Sequence, residues 1–280
     1  MKDFTDKLVL ITGGSSGIGL AIAEQLFTAG ASVFILARDP MRLEQAVTKI
    51  NTHRIRAAQR LGAISADVVN YEILCDKLTD LKQTQGIPDL VINSAGVARP
   101  GYVETLNPEI FRWTMDINFH GTVNVNQALL PDLIARKSGY IVNFSSLAGV
   151  LGVFGYTAYS GSKFAVRGYT DTLRSELKPK GIKVSIVFPP DTDTPQLAWE
   201  AQYKPFETRV IAGSDKPVSA SKVAQIVVKG IQKEKYAIVP GAEAKVIYFL
   251  ATRMGGAINP VMDLLVKDAM RKKEKQELKK

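Results

Sequence analysis

The chain has 280 residues, enough to bury a full core, and its 46% hydrophobic and 22% charged residues exclude a disordered or fibrous protein. Its single cysteine, Cys75, rules out an internal disulfide framework and fits a reducing, cytoplasmic compartment; it reads as a buried apolar filler. The net charge of +9 is uneven, with seven basic against three acidic residues in 267–280, a solvated helix end by default.

Met1 leads directly to a strand at Lys7–Thr12, with no basic-then-apolar leader, so no secretory signal is expected. No apolar run reaches the ~18 residues of a membrane span. Short β-branched runs at Leu8–Ile11, Val33–Ala37, Leu90–Ile92, Tyr140–Phe144 and Val184–Phe188 read as strands buried on both faces. Amphipathic stretches such as Ile18–Ala29 and Pro40–Arg56 read as helices between them. Strands alternating with helices predict an α/β fold with a parallel sheet and right-handed crossovers. No repeat or linker divides the chain, so residues 1–280 read as one domain.

The first strand runs into Gly13-Gly-Ser-Ser-Gly-Ile-Gly19 and then an Ile/Leu/Ala helix. Gly13, Gly17 and Gly19 would let the backbone turn tightly and approach a pyrophosphate at the helix N-terminus, with Ser15, Ser16 and Ile18 as further contacts. The second strand ends at Ala37-Arg38, with no acid to hold a ribose 2′-hydroxyl. A guanidinium there suits a 2′-phosphate, so NADPH/NADP+ is the expected cofactor. Asp39, before Pro40, reads as a helix N-cap.

Tyr159 and Lys163, at i and i+4, share one helix face. A phenol titrating at about 10 is a poor acid near neutrality unless a neighbouring ammonium lowers it. That spacing alone is common on surface helices. Its setting makes it specific: Ser145 and Ser146 end the strand upstream, Asn93-Ser-Ala-Gly96 ends another, and Asn118 lies on an apolar helix.

From Lys7 to Pro195 the chain resembles the short-chain dehydrogenase/reductase family in motif order and spacing. The resemblance implies a Rossmann fold with a doubly wound, mostly parallel seven-stranded sheet and helices on both faces. It also implies a catalytic tetrad of Asn118, Ser146, Tyr159 and Lys163. Ser146 rather than Ser145 has the family's separation from the tyrosine. Lys163 would lower the Tyr159 pKa and grip the nicotinamide ribose; Asn118 would hold a relay water. Asp67 and Val68 are implied near the adenine, and Asn93, Ala95 and Gly96 along the cofactor cleft. Ser94 departs from the family's usual Asn-Asn pair.

A larger departure follows the sixth strand, where Pro190 replaces the family's glycine in Phe188-Pro-Pro-Asp-Thr-Asp-Thr-Pro195. Two prolines end the strand in a stiff turn. Pro189, Thr192 and Thr194 remain available to the cofactor, and Asp191 or Asp193 could cap the next helix. This loop and Lys204–Arg209 resemble the subgroup that reduces the 3-ketone of a long-chain sphingoid base, which implies a small lipophilic ketone as substrate. Eukaryotic members of that subgroup carry a membrane segment near the N-terminus; its absence implies a soluble or peripheral version. Residues 191–217, with Gly96–Thr105, are the expected substrate loops. The alternatives are a reductase of a steroid, retinoid or acyl-chain ketone, and a non-catalytic NADPH sensor or scaffold, against which the intact tetrad counts. A homodimer or homotetramer is expected, without nucleic acid or metal.

Residues 244–280 combine apolar and basic side chains, broken at Gly255-Gly256 and Pro260. They read as packing on the core or on a partner subunit, or as an interfacial anchor in which Lys267, Arg271, Lys272 and Lys273 meet anionic headgroups.

Overall fold

The structure, a computed structural model, describes residues 1–211 and 217–278. From the N-terminus come β1 (Leu8–Thr12), α1 (Gly17–Thr28), β2 (Ser32–Ala37), α2 (Pro40–Asn51), β3 (Leu61–Ser65), α3 (Tyr71–Gln85) and β4 (Leu90–Asn93). A long helix follows as α4 (Pro108–Met115), one π turn (Asp116–His120) and α5 (Gly121–Arg136), leading to β5 (Gly139–Phe144). Then come α6 (Thr157–Leu177), β6 (Ile182–Val187), β7 (Thr192–Asp193), α7 (Pro195–Glu200) and α8 (Phe206–Ile211). The chain ends with β8 (Val218–Ser219), α9 (Ala220–Gln232), β9 (Ala237–Ile238), α10 (Ala242–Met254) and α11 (Asn259–Glu277).

Seven parallel strands form one sheet in the order β3-β2-β1-β4-β5-β6-β9, and β7 pairs with β8 in a separate ribbon. The sheet needs apolar residues on both faces because helices cover both. In β1, Val9 and Ile11 pack with Ile22, Leu26 and Phe27 of α1 and Val227 of α9. Leu10 faces the opposite layer, with Leu78 of α3, Leu129 of α5 and Leu177 of α6. Each fully buried side chain of this kind stabilises the fold by about 1.5–3 kcal/mol. Chain connections leave β1 in opposite directions across the sheet, which opens a crevice at the carboxyl ends of β1 and β4.

Several local expectations are corrected. The helix read as Pro40–Arg56 ends at Asn51. Beyond it, the buried Gln59 carboxamide accepts from the N–H groups of Ile55 and Arg56 at 3.0 and 2.9 Å, so side-chain bonds replace helical ones. The fifth recognised strand starts two residues earlier than read, at Ile182, and Phe188 lies beyond it. Cys75 is half-buried on α3 rather than a core filler. The region 191–217 carries β7, α7 and α8 rather than irregular loop; residues 212–216 of it lie outside the described residues, as do Lys279 and Lys280 of the basic tail. Among the described residues no helix is long and apolar enough to cross a membrane.

Candidate active site

Gly13 adopts φ +67°, and a Cβ there would lie 2.8 Å from the Ala95 backbone. A Cβ on Gly19 would lie 2.4 Å from the Gly13 carbonyl oxygen and 2.7 Å from Ser94 Oγ. Only glycine lets the turns after β1 and β4 nest this closely. Ser94 fastens them further, its hydroxyl donating to the Thr12 carbonyl at 2.5 Å, while Ala95 N–H donates to Thr12 Oγ1 at 3.2 Å. The turn feeds α1 with Ser16 at the N-cap making no side-chain cap bond. The first N–H groups of α1, including those of Gly17, Ile18 and Gly19, therefore have no intrahelical acceptor. Ser15, Ser16, Gly17 and Ile18 are all partly exposed around this cradle. Its shape and its free donors fit a pyrophosphate.

Arg38, at the end of β2, is largely exposed, and its Nη1 lies 3.7 Å from Asp67 Oδ2. Two expected cofactor residues from different strand ends are thus neighbours. Asp39 is the N-cap of α2, accepting from the N–H groups of Met41 and Arg42 at 3.0 and 3.2 Å. The side chain of Val68 is buried against Gly121 on α5 and leaves only its backbone to a ligand. Asn93 differs more from expectation. It is buried, and its amide donates to Asn126 and Asn143 at 2.8 and 2.9 Å. Its side chain ties β4 to α5 and β5 instead of lining the cleft.

Asn118 sits in the π turn, a local widening that interrupts the regular i→i−4 ladder. Its Oδ1 accepts from Val97 N–H at 2.8 Å, and its Nδ2 donates to the Val97 carbonyl and to Ser162 Oγ, both at 2.9 Å. Ser162 in turn donates to the Tyr159 carbonyl at 2.7 Å. A Cβ on Gly96 would lie 3.1 Å from Asn118 Oδ1 and 3.4 Å from Lys163 Nζ, so these three residues converge on one point. Lys163 is buried and donates to the Phe144 carbonyl at 3.0 Å. Ser145 and Ser146 divide clearly. Ser145 Oγ donates to the Lys163 carbonyl at 2.8 Å and joins β5 to α6. Ser146, partly exposed, accepts from Ala148 N–H at 3.2 Å and turns its hydroxyl to the Tyr159 phenol.

Electrostatics here depart from the expectation for the tyrosine. Burial, then the negative charge of Glu200, push the Tyr159 phenol above its ordinary value, while its hydrogen bond with Ser146 opposes the rise. Lys163 does not reverse this; burial pushes its own ammonium down to about 8, with Glu200 opposing.

The proline turn after β6 projects two threonines inward. Pro189 and Thr192 are buried, and Thr192 Oγ1 donates to the Pro190 carbonyl at 2.8 Å. Thr194 is the N-cap of α7, accepting from Leu197 N–H at 3.3 Å, so neither Asp191 nor Asp193 caps that helix. A Cβ on Gly17 would lie 3.1 Å from Thr194 Cγ2, which puts this turn over the glycine cradle. Sequence reasoning missed Ser162, Tyr156 and Glu200. Ser162 could have been found from its place three residues after Tyr159; for Glu200, at the end of the short α7 and outside any motif, no sequence signal exists.

Residues 7–203 match the family described as short chain dehydrogenase, and the chain belongs to that family of nicotinamide-dependent oxidoreductases. Among its relatives, a 3-ketodihydrosphingosine reductase of Bos taurus is 40% identical over 222 residues, covering 79% of this chain and 67% of the relative. One of Dictyostelium discoideum with the same name is 35% identical over 261 residues, covering 88% and 78%. In fold, the 3-oxoacyl-[acyl-carrier protein] reductase of Brucella melitensis superposes with TM-score 0.73 at 26% identity, covering 85% of this chain and 91% of that one.

Proposed function

We propose that this chain is an NADPH-dependent reductase of a long-chain sphingoid ketone, converting 3-ketosphinganine to sphinganine. The convergence of Gly96, Asn118 and Lys163 beside Tyr159 and Ser146, at the sheet edge next to the glycine cradle, is the observation that carries it. The relatives' shared name supports the substrate, and Arg38, with the adjacent Asp39 committed to capping α2, supports NADPH over NADH. Bound nicotinamide supplies the hydride. Ser146 donates a hydrogen bond to the ketone oxygen, where negative charge builds. Tyr159, protonated at neutral pH, gives that oxygen its proton. Lys163 holds the ribose, and Asn118 fixes the loop after β4 against α6 while supporting the relay water. The same reading includes a homodimer or homotetramer, a cytoplasmic location and peripheral contact with a membrane surface.

The test is NADPH oxidation with 3-ketosphinganine against steroid and short-chain ketones. The sphingoid ketone should give the highest kcat/KM, and Tyr159→Phe should abolish turnover while NADPH still binds. Retention within about tenfold, a barrier change near 1.4 kcal/mol, would assign the proton to another group. Arg38→Asp should move preference from NADPH towards NADH. Unchanged NADPH affinity in that variant would remove Arg38 from the cofactor site.

A further inference from the structure

Glu200 ends α7 and is 5% exposed. Its Oε2 accepts the Tyr156 phenol at 2.8 Å and its Oε1 accepts the Gln196 amide at 2.7 Å. Both donors are neutral. Among the described residues no lysine, arginine or histidine makes an ion pair with it; Lys204, whose charge acts on it without direct contact, is paired with Asp191 at 3.2 Å. A buried carboxylate held only by neutral donors keeps most of its desolvation cost, which a cation would offset. Burial accordingly pushes the Glu200 carboxyl above its usual range, and the Gln196 and Tyr156 bonds and then the Lys204 charge pull it only partly back.

The location gives this carboxylate a meaning. Tyr156 and Tyr159 have ring centroids 5.7 Å apart, so Glu200 stands one aromatic ring from the phenol that acts on the ketone. A group reaching both must be small and must carry its charge close to the carbonyl. In a sphingoid 3-ketone, the carbon next to the carbonyl bears an amine, protonated in neutral water. Steroid, retinoid and simple acyl-chain ketones have no such group. Packing does not require the charge either, since a glutamine could still accept from Tyr156.

We propose that Glu200, fixed by Tyr156 and Gln196, forms an ammonium subsite that reads the protonated amine on the carbon beside the substrate ketone. This rests on the sphingoid-ketone reading and deepens it, because it makes the amine rather than the alkyl chain the group that distinguishes this substrate from other lipophilic ketones. One lone pair on each oxygen remains available to the ammonium after the two existing bonds.

The experiment compares kcat/KM, with NADPH and the full chain, for 3-ketosphinganine and for the same 1-hydroxy-3-ketone lacking the amine. The wild type should favour the amine-bearing ketone by roughly ten- to hundredfold, the range of a charge-assisted hydrogen bond. In Glu200→Gln that ratio should fall to near one, mainly through a higher KM for the amino ketone, while Glu200→Asp should keep part of it. Circular dichroism and NADPH binding establish that each variant is folded. A wild type that reduces both ketones without preference overturns the subsite, whatever the variants do. A folded Glu200→Gln that keeps the preference overturns it as well. If the wild type reduces neither ketone, the sphingoid-ketone reading itself fails, a result distinct from both.

Discussion

Lys163 shows how much one side chain costs this fold and why the cost is retained. Its ammonium is almost fully buried, with one carbonyl as its hydrogen-bond partner, and burial pushes its pKa from 10.5 down to about 8. Between those values the folded protein binds fewer protons at this site than the unfolded chain does. Unfolding then takes up a proton, so stability rises with pH across that window. Below about pH 8 the penalty is fully present, and above about 10.5 it is gone. Lys163→Met lacks the group, so the stability of wild type relative to this variant should be flat below pH 8 and climb by on the order of 3 kcal/mol towards pH 10.5. Urea unfolding of both proteins at a series of pH values, without added cofactor, measures it. A flat difference throughout would mean that the ammonium is solvated in the folded state. Such a lysine is tolerated because it is poised: a group that gains from any new hydrogen-bond acceptor is suited to grip a ribose.

At the level of elements, the long buried strands and the glycine turn were legible in sequence because each expresses one strong local rule. β1, β4 and β5 are continuous apolar runs, and Gly13-Gly-Ser-Ser-Gly-Ile-Gly19 is a turn that larger residues cannot make. β3 was not placed because it is the sheet edge, with Gly62 at its second position and only Ile64 buried. β9 has two residues, too few for any periodicity. The π turn at Asp116–His120 was invisible for a different reason: Asn118 reads only as part of an apolar helix, and the widening is set by the bonds that it makes to Val97 and Ser162, far away in the chain. The same holds for Asn93 and Glu200. Their residue types were visible, but the direction in which each points depends on tertiary neighbours.

For the whole molecule, the open question is what covers the C-terminal helices. α11 packs on α8 and buries Ala269, and Lys273 donates to Glu207 at 3.1 Å and to the Tyr102 phenol at 3.0 Å, joining α11 to α8 and to the loop after β4. Lys273, expected at a headgroup, is therefore committed inside the protein, and Lys272 is paired with Asp268 at 2.7 Å. Part of the segment is covered, with Ala244 and Ala251 buried and Tyr248 packed on Phe188 with ring centroids 4.9 Å apart, but a row of apolar side chains is not. Val246, Phe249, Val261, Leu264 and Leu265 are all more than 40% exposed, beside the exposed Lys267 and Arg271. Apolar side chains next to basic ones that make no ion pair among the described residues match an anionic bilayer surface, where burial and charge attraction add. A poorly water-soluble sphingoid ketone would be drawn from that surface. The intact protein should therefore co-sediment with anionic vesicles at low salt, bind neutral ones weakly, and release at high salt as the Debye length shrinks. Replacing Phe249 and Leu264 with serine should weaken binding without unfolding the chain, since neither side chain is in the core. If anionic vesicles fail to bind the protein at low salt, these helices face a second subunit instead. Equilibrium sedimentation of the double variant would then show a shift towards monomer.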